Sequence, residues 1–122
     1  MRIETRGVRP EGGAWLIRWT VTNDGDEPLE IVRALAPHGR FRGDERHVDL
    51  TVAVGAEAEV VLPIRVDGAA GEIENAFLIL LARSGTTEWR ILARLRVRRA
   101  DGMPQPRTER IDVQEVGFSG RG

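Results

Sequence analysis

The feature that most constrains this chain is a two-residue alternation of apolar and polar side chains, repeated in several separate runs. Trp15, Ile17, Trp19 and Val21 alternate with Leu16, Arg18, Thr20 and Thr22. Val48, Leu50, Val52 and Val54 alternate with Asp49, Thr51 and Ala53, and Val60, Leu62, Ile64 and Val66 with Val61, Pro63, Arg65 and Asp67. Trp89, Ile91, Ala93, Leu95 and Val97 alternate with Arg90, Leu92, Arg94, Arg96 and Arg98. Such a period puts one face in a core and the other in water, as a half-buried antiparallel strand requires. No sustained stretch shows helical spacing bounded by caps.

Turn chemistry separates the runs. Asn23-Asp24-Gly25-Asp26, Val54-Gly55-Ala56, Asp67-Gly68-Ala69-Ala70-Gly71 and Ser84-Gly85-Thr86-Thr87 all read as turns or loops. The expected strands are 2–9, 14–23, 28–35, 47–54, 57–67, 75–83, 88–99 and 110–118. Residues 76–82 are apolar throughout, which suits a central strand covered on both sides, with Phe77, Ile79 and Leu81 read as core. Pro63 cannot donate to a ladder, so an edge or a bulge is expected there. Seven or eight short strands at this spacing predict an all-β fold, an antiparallel β-sandwich of two sheets. Residues 1–99 are expected to form the sandwich domain. Residues 100–122 are expected to form a linker and a C-terminal strand or tail, docked on the same domain or on a partner.

The segment Trp15-Leu16-Ile17-Arg18-Trp19-Thr20-Val21-Thr22-Asn23-Asp24-Gly25-Asp26-Glu27-Pro28-Leu29-Glu30-Ile31 resembles the B-to-C stretch of bacterial immunoglobulin-like sandwich domains. Gly55-Ala56-Glu57-Ala58-Glu59-Val60-Val61-Leu62 is similar to the mid-domain hairpin of those modules. The resemblance spans residues 1–99 and implies an immunoglobulin-like β-sandwich, a class of mostly binding, adaptor or structural units. It departs from antibody domains in lacking the paired cysteines and any tyrosine.

Composition narrows the function classes. The absence of cysteine excludes disulfides, thiolate catalysis and cysteine-based metal sites. Eighteen arginines, with no lysine, face 19 acidic residues, so a net charge of −1 supplies no global field for nucleic acid or anionic membrane. Neither is expected as a partner. The N-terminus has no apolar run of signal-peptide type, and seven apolar residues are too few to span a bilayer as a helix, so a cytoplasmic location is expected.

Candidate sites are few. Arg90, Arg94, Arg96 and Arg98, with Arg99 beside them, form a basic strip on the face opposite Trp89, Ile91 and Leu95. The strip reads as a binding surface, or as one half of cross-strand pairs with acids such as Glu57, Glu59, Glu72 and Glu74. The loop 23–27 clusters oxygen side chains that calcium favours, but its spacing fits a turn equally. Trp15 and Trp19 form a sugar platform if exposed, and part of the core if buried, each indole N–H then finding a backbone partner. His38 and His47, near Asp44 and Glu45, lack a nucleophile in a known motif, so no catalysis and no cofactor are expected. The expected role is a non-enzymatic protein-interaction or structural module, binding through a sheet edge or the arginine-bearing face. Its partner is another protein, or a second copy paired through an edge strand or the C-terminal tail. The alternative is a module for a small ligand, carbohydrate or calcium.

Overall fold

The computed structural model describes residues 1–68 and 71–116. Eight antiparallel strands follow one another: β1 (Arg2–Glu11), β2 (Ala14–Thr22), β3 (Leu29–His38), β4 (Phe41–Val52), β5 (Glu57–Val66), β6 (Ile73–Ser84), β7 (Thr87–Ala100) and β8 (Met103–Glu115). They form a single sheet in the order β1-β2-β5-β4-β3-β6-β7-β8. The first and last strands approach each other, so the sheet nearly closes into a barrel. Among the described residues no helix is long and apolar enough to cross a membrane.

This corrects the expected immunoglobulin-like sandwich. Eight alternating strands fit a barrel as well as a sandwich, and two local features decide between them. The first is a joint: β4 pairs with β5 at Phe41↔Val66 and Arg42↔Arg65, which unites what would otherwise be two sheets. Gly43 makes that approach possible. A Cβ there would lie 2.6 Å from Ile64 Cδ1 and 3.1 Å from the Pro63 carbonyl oxygen. Pro63 itself lies where β5 has no ladder partner on its β4 side.

The second feature is curvature. Register shifts occur at Thr5/Gly7, Ile31/Arg33, Ala34/Ala36, Ile73/Ala76 and Arg94/Leu95. Each inserts a residue on one strand, bends it and raises its twist, which is how a sheet curls toward closure. Asp49 and Asn75, in two of these bulges, have φ of 45° and 58°, a left-handed conformation that Asp and Asn tolerate better than most residues.

At the seam, β1 and β8 are joined by side chains. The Thr5 hydroxyl donates to the Pro106 carbonyl at 2.8 Å, and the Thr108 hydroxyl to the Ile3 carbonyl at 2.8 Å. Pro104 and Pro106 carry no N–H, and both tolerate this position because it lies at the margin of the sheet. Residues 100–106, read as a linker from their prolines, belong to a tight hairpin and the start of β8. The two-residue turn Asp101-Gly102, with φ of 53° and 76°, has the geometry that matches strand twist. Residues 117 and 118 of the expected last strand lie outside the described residues.

The core fills the interior. Trp19 and Phe41 are fully buried and meet edge to face, with centroids 6.5 Å apart and rings at 76°. Ile17, Leu62, Ile64, Leu78, Leu80, Ile91 and Leu95 pack around them. The Trp19 indole N–H has no hydrogen-bond partner among the described residues, contrary to the expected backbone partner. β6 also departs from expectation. Ala76, Leu78, Leu80 and Ala82 point inward, and Phe77, Ile79 and Leu81 lie half-buried on the outer face. In a uniformly apolar run, alternation cannot specify which face is inside, and a bulge at Asn75 flips the choice.

Two stability predictions follow from the joint and the reversed face. Leu80→Ala should cost about 2–5 kcal/mol in urea melts, and Phe77→Ala about 1 kcal/mol, the opposite of a Phe77-centred core. Gly43→Ala should cost about 1–3 kcal/mol, because the Pro63 carbonyl is backbone and cannot swing aside. A neutral Gly43→Ala in the same melts would show that β4 crosses β5 with room to spare.

Candidate functional site

Strand β7 is the platform for the arginine strip. Its odd-numbered residues face the interior and its even-numbered ones the outside. Arg90, Arg94, Arg96 and Arg98 therefore share the outer face. Arg99 does not join them; its guanidinium folds back to donate to the Gly102 carbonyl at 3.2 Å.

The strip divides into two parts. At one end Arg96 reaches Glu109 at 2.8 Å, Glu72 at 3.2 Å and Glu74 at 3.7 Å, and Arg98 also holds Glu72. Hydrogen bonding and charge from Glu109, against a smaller desolvation effect, raise the Arg96 pKa above its ordinary value. Glu109 stands at the β8 bulge, which aims it at β7. The cluster borders a cleft of about 950 Å³ along the seam, which Arg6 of β1 and Arg107 of β8 also line. Its carboxylates match Arg94, Arg96 and Arg98, so this end is neutralised internally. Glu72 and Glu74 are among the acids expected to pair across strands. Glu59 and Glu57 engage Arg18 and Thr22 instead.

At the other end the arginines frame apolar side chains. Leu81 on β6 lies between Arg33 of β3 and Arg90 of β7. In the next row Ile79 lies between Leu35 and Leu92, and Phe77 stands beside Arg94. β8 completes the rows with Gln114, Asp112 and Arg110. Leu35, Phe77, Ile79, Leu81 and Leu92 are half-buried although no layer covers them among the described residues. The Nε atoms of Arg33 and Arg94 are buried without a hydrogen-bond partner, so both side chains lie along the sheet, their stems shielding these apolar groups. Arg90 is exposed and makes no ion pair among the described residues. Phe77, Ile79 and Leu81 were missed from sequence because they were assigned to the core; the even spacing of Leu92 among the arginines was the available signal.

The other candidates resolve into structural roles. The Asn23 side-chain amide donates to the Glu27 and Val52 carbonyls at 2.8 and 3.0 Å, and its oxygen accepts from the Gly25 N–H at 3.0 Å. Asp24 binds the Met1 amino group, which together with charge lowers its carboxyl pKa below the ordinary value. Glu27 accepts from the Ser84 hydroxyl at 2.9 Å. These oxygens brace the loop between β2 and β3. Among the described residues no group of three or more His, Cys, Asp or Glu is placed to hold a metal ion. Trp19 is wholly inside and Trp15 packs half-buried against the core, so the two do not form a shared open platform. His38 Nδ1 accepts from the Arg40 N–H at 3.0 Å, and His47 lies exposed on β4.

No family model, no curated protein and no solved structure matches this chain. The resemblance to bacterial immunoglobulin-like domains therefore finds no support there, and the single-sheet architecture overturns it.

The division of the strip predicts different responses to charge reversal. Arg96→Glu places a fourth carboxylate beside Glu72, Glu74 and Glu109 and should lower the urea midpoint, more so at low salt. Arg90→Glu should leave it unchanged. Equal midpoints for the two variants would show that the acidic cluster contributes nothing to the fold.

Proposed function

We propose that this chain is a non-enzymatic protein-interaction module, and that it docks a partner protein through the outer face of β3, β6, β7 and β8. The observation that supports this reading is the placement of Leu35, Phe77, Ile79, Leu81 and Leu92 on that face, framed by Arg33, Arg90, Arg94 and Arg110. Contiguous apolar side chains outside a core mark interaction surfaces. Protein interfaces favour aromatic residues and arginine near their centres, where the guanidinium adds stacking and forked hydrogen bonds to buried apolar area. The complementary surface is apolar with an acidic side chain placed to reach Arg90, which makes no ion pair among the described residues.

Nucleic acid fits this face less well. Single strands are held by interleaved aromatic rings, and Phe77 is the only aromatic in these rows. The chain's net charge of −1 offers little phosphate attraction beyond the patch.

The test is capture from the source cell by the intact chain and by a Leu92→Glu/Arg90→Glu variant that keeps its urea midpoint. A specific partner should be lost by the variant, with affinity falling by about tenfold or more. Retention of every captured protein by the variant would remove this face as the docking surface.

A further inference from the structure

The seam between β1 and β8 does not run the length of β8. The strands are antiparallel there, with Thr5 set against Pro106 and Ile3 against Thr108. Beyond Thr108, β8 continues to Glu115, and no strand lies opposite residues 111–115 among the described residues. The direction of the free groups follows from the ladder. The Val116 N–H donates to the Glu88 carbonyl at 2.9 Å, so Val116, Gln114 and Asp112 turn their peptide groups toward β7. Alternation then turns the N–H and C=O of Ile111, Val113 and Glu115 away from β7, into the open edge.

That edge has an apolar side. Ile111 and Val113 lie on the row that faces the interior further along the strand, yet Val113 is 51% exposed. A cavity of about 350 Å³ opens beneath it, lined by Met1, Leu29, Trp89 and Val113 together with Asp26 and Glu27. Asp26 is exposed and has no charge partner among the described residues. Glu115, on the same row as Val113, adds a further exposed carboxylate.

We infer that this open end of β8 is a strand-addition site for an extended peptide segment of a partner protein, one that carries an apolar side chain and a basic one two residues apart, on the same face. Main-chain hydrogen bonds to Ile111, Val113 and Glu115 hold such a segment, and alternate side chains drop to the inner side as strand geometry requires. There the apolar side chain fills the cavity over Trp89 and Leu29. The basic one reaches Asp26, Glu27 or Glu115. This deepens the reading of the chain as an interaction module, but it uses a different surface and the opposite charge from the arginine-framed face. An edge with free peptide groups and an exposed valine is also one that a protein leaves uncovered at a cost in self-association, which favours an occupant in use.

The experiment pans short random peptides, displayed on phage, against the full chain, and measures selected peptides by fluorescence polarisation. Enriched sequences should alternate β-branched or apolar residues and place Arg or Lys two positions from an apolar one. Val113→Pro removes a donor from the open edge without removing a β7 hydrogen bond, and should weaken these peptides by about tenfold or more. Asp26→Lys, at an exposed position, should weaken the basic peptides similarly, and Leu92→Glu should have no effect. The inference is overturned if panning enriches no peptide, if the enriched peptides are acidic, or if Val113→Pro and Asp26→Lys leave binding intact. Peptides lost with Leu92→Glu but retained by Val113→Pro would overturn it while placing binding on the outer face.

Discussion

An open antiparallel sheet ends in two strands whose outer peptide groups have no partner, and the whole of this structure turns on bringing those two strands together. β1 and β8 meet only because the sheet bends, and it bends at bulges carried on β1, β3, β4, β6 and β8. Closure then creates the interior in which Trp19 and Phe41 are completely enclosed. Opening the seam would expose the inner rows of every strand at once. The contact itself is modest, two threonine hydroxyls each bonded to a carbonyl across the gap. A neutral hydrogen bond adds on the order of 1 kcal/mol, so the seam is positioned by the curvature of the sheet more than by its own bonds.

The same curvature assigns chemistry to the surface. A bulge inverts which residues point outward, so the register shift in β6 turns Phe77, Ile79 and Leu81 out and Leu78 and Leu80 in. The bulge in β8 aims Glu109 at Arg96, which draws charge from β6 and β8 onto one end of the arginine strip. The two ends of that strip thus acquire different characters from one strand's sequence. One is a closed network of forked guanidinium and carboxylate contacts. The other is a row of arginines lying across apolar groups, where Arg90 makes no ion pair among the described residues and a partner can supply one.

Much of the strand count was legible because alternation and turn residues are local signals. Trp15 to Val21 and Trp89 to Val97 report their inner face directly, and Ser84-Gly85-Thr86-Thr87 marks the hairpin between β6 and β7. The polar stretch from His38 to His47 misled, because β4 begins at Phe41 and its bulged, water-facing middle resembles a loop. The prolines at 104 and 106 misled in the same way, since their missing donors face the seam and no ladder bond is lost. Sheet order was not legible at all. It rests on the β4–β5 joint, where the decisive residue is a glycine whose role is to contribute no atoms. The outer patch was hidden for a related reason: an apolar residue outside a barrel looks the same in sequence as one inside it.

Incomplete closure has a further consequence for where binding is possible. A ladder between β1 and β8 would have satisfied every peptide group along the seam and left a featureless wall. Prolines on one side and a staggered pair of strand ends on the other prevent that. Where the prolines stand, the seam widens into a cleft in which Glu72 and Glu109 hold Arg96 and Arg98, Glu4 holds Arg6, and Arg107 makes no ion pair among the described residues. Where β8 runs past the start of β1, peptide donors and acceptors remain free beside apolar side chains and unbalanced carboxylates. The second opening sets free peptide groups beside apolar side chains and exposed carboxylates, and those are properties that an added strand can satisfy together.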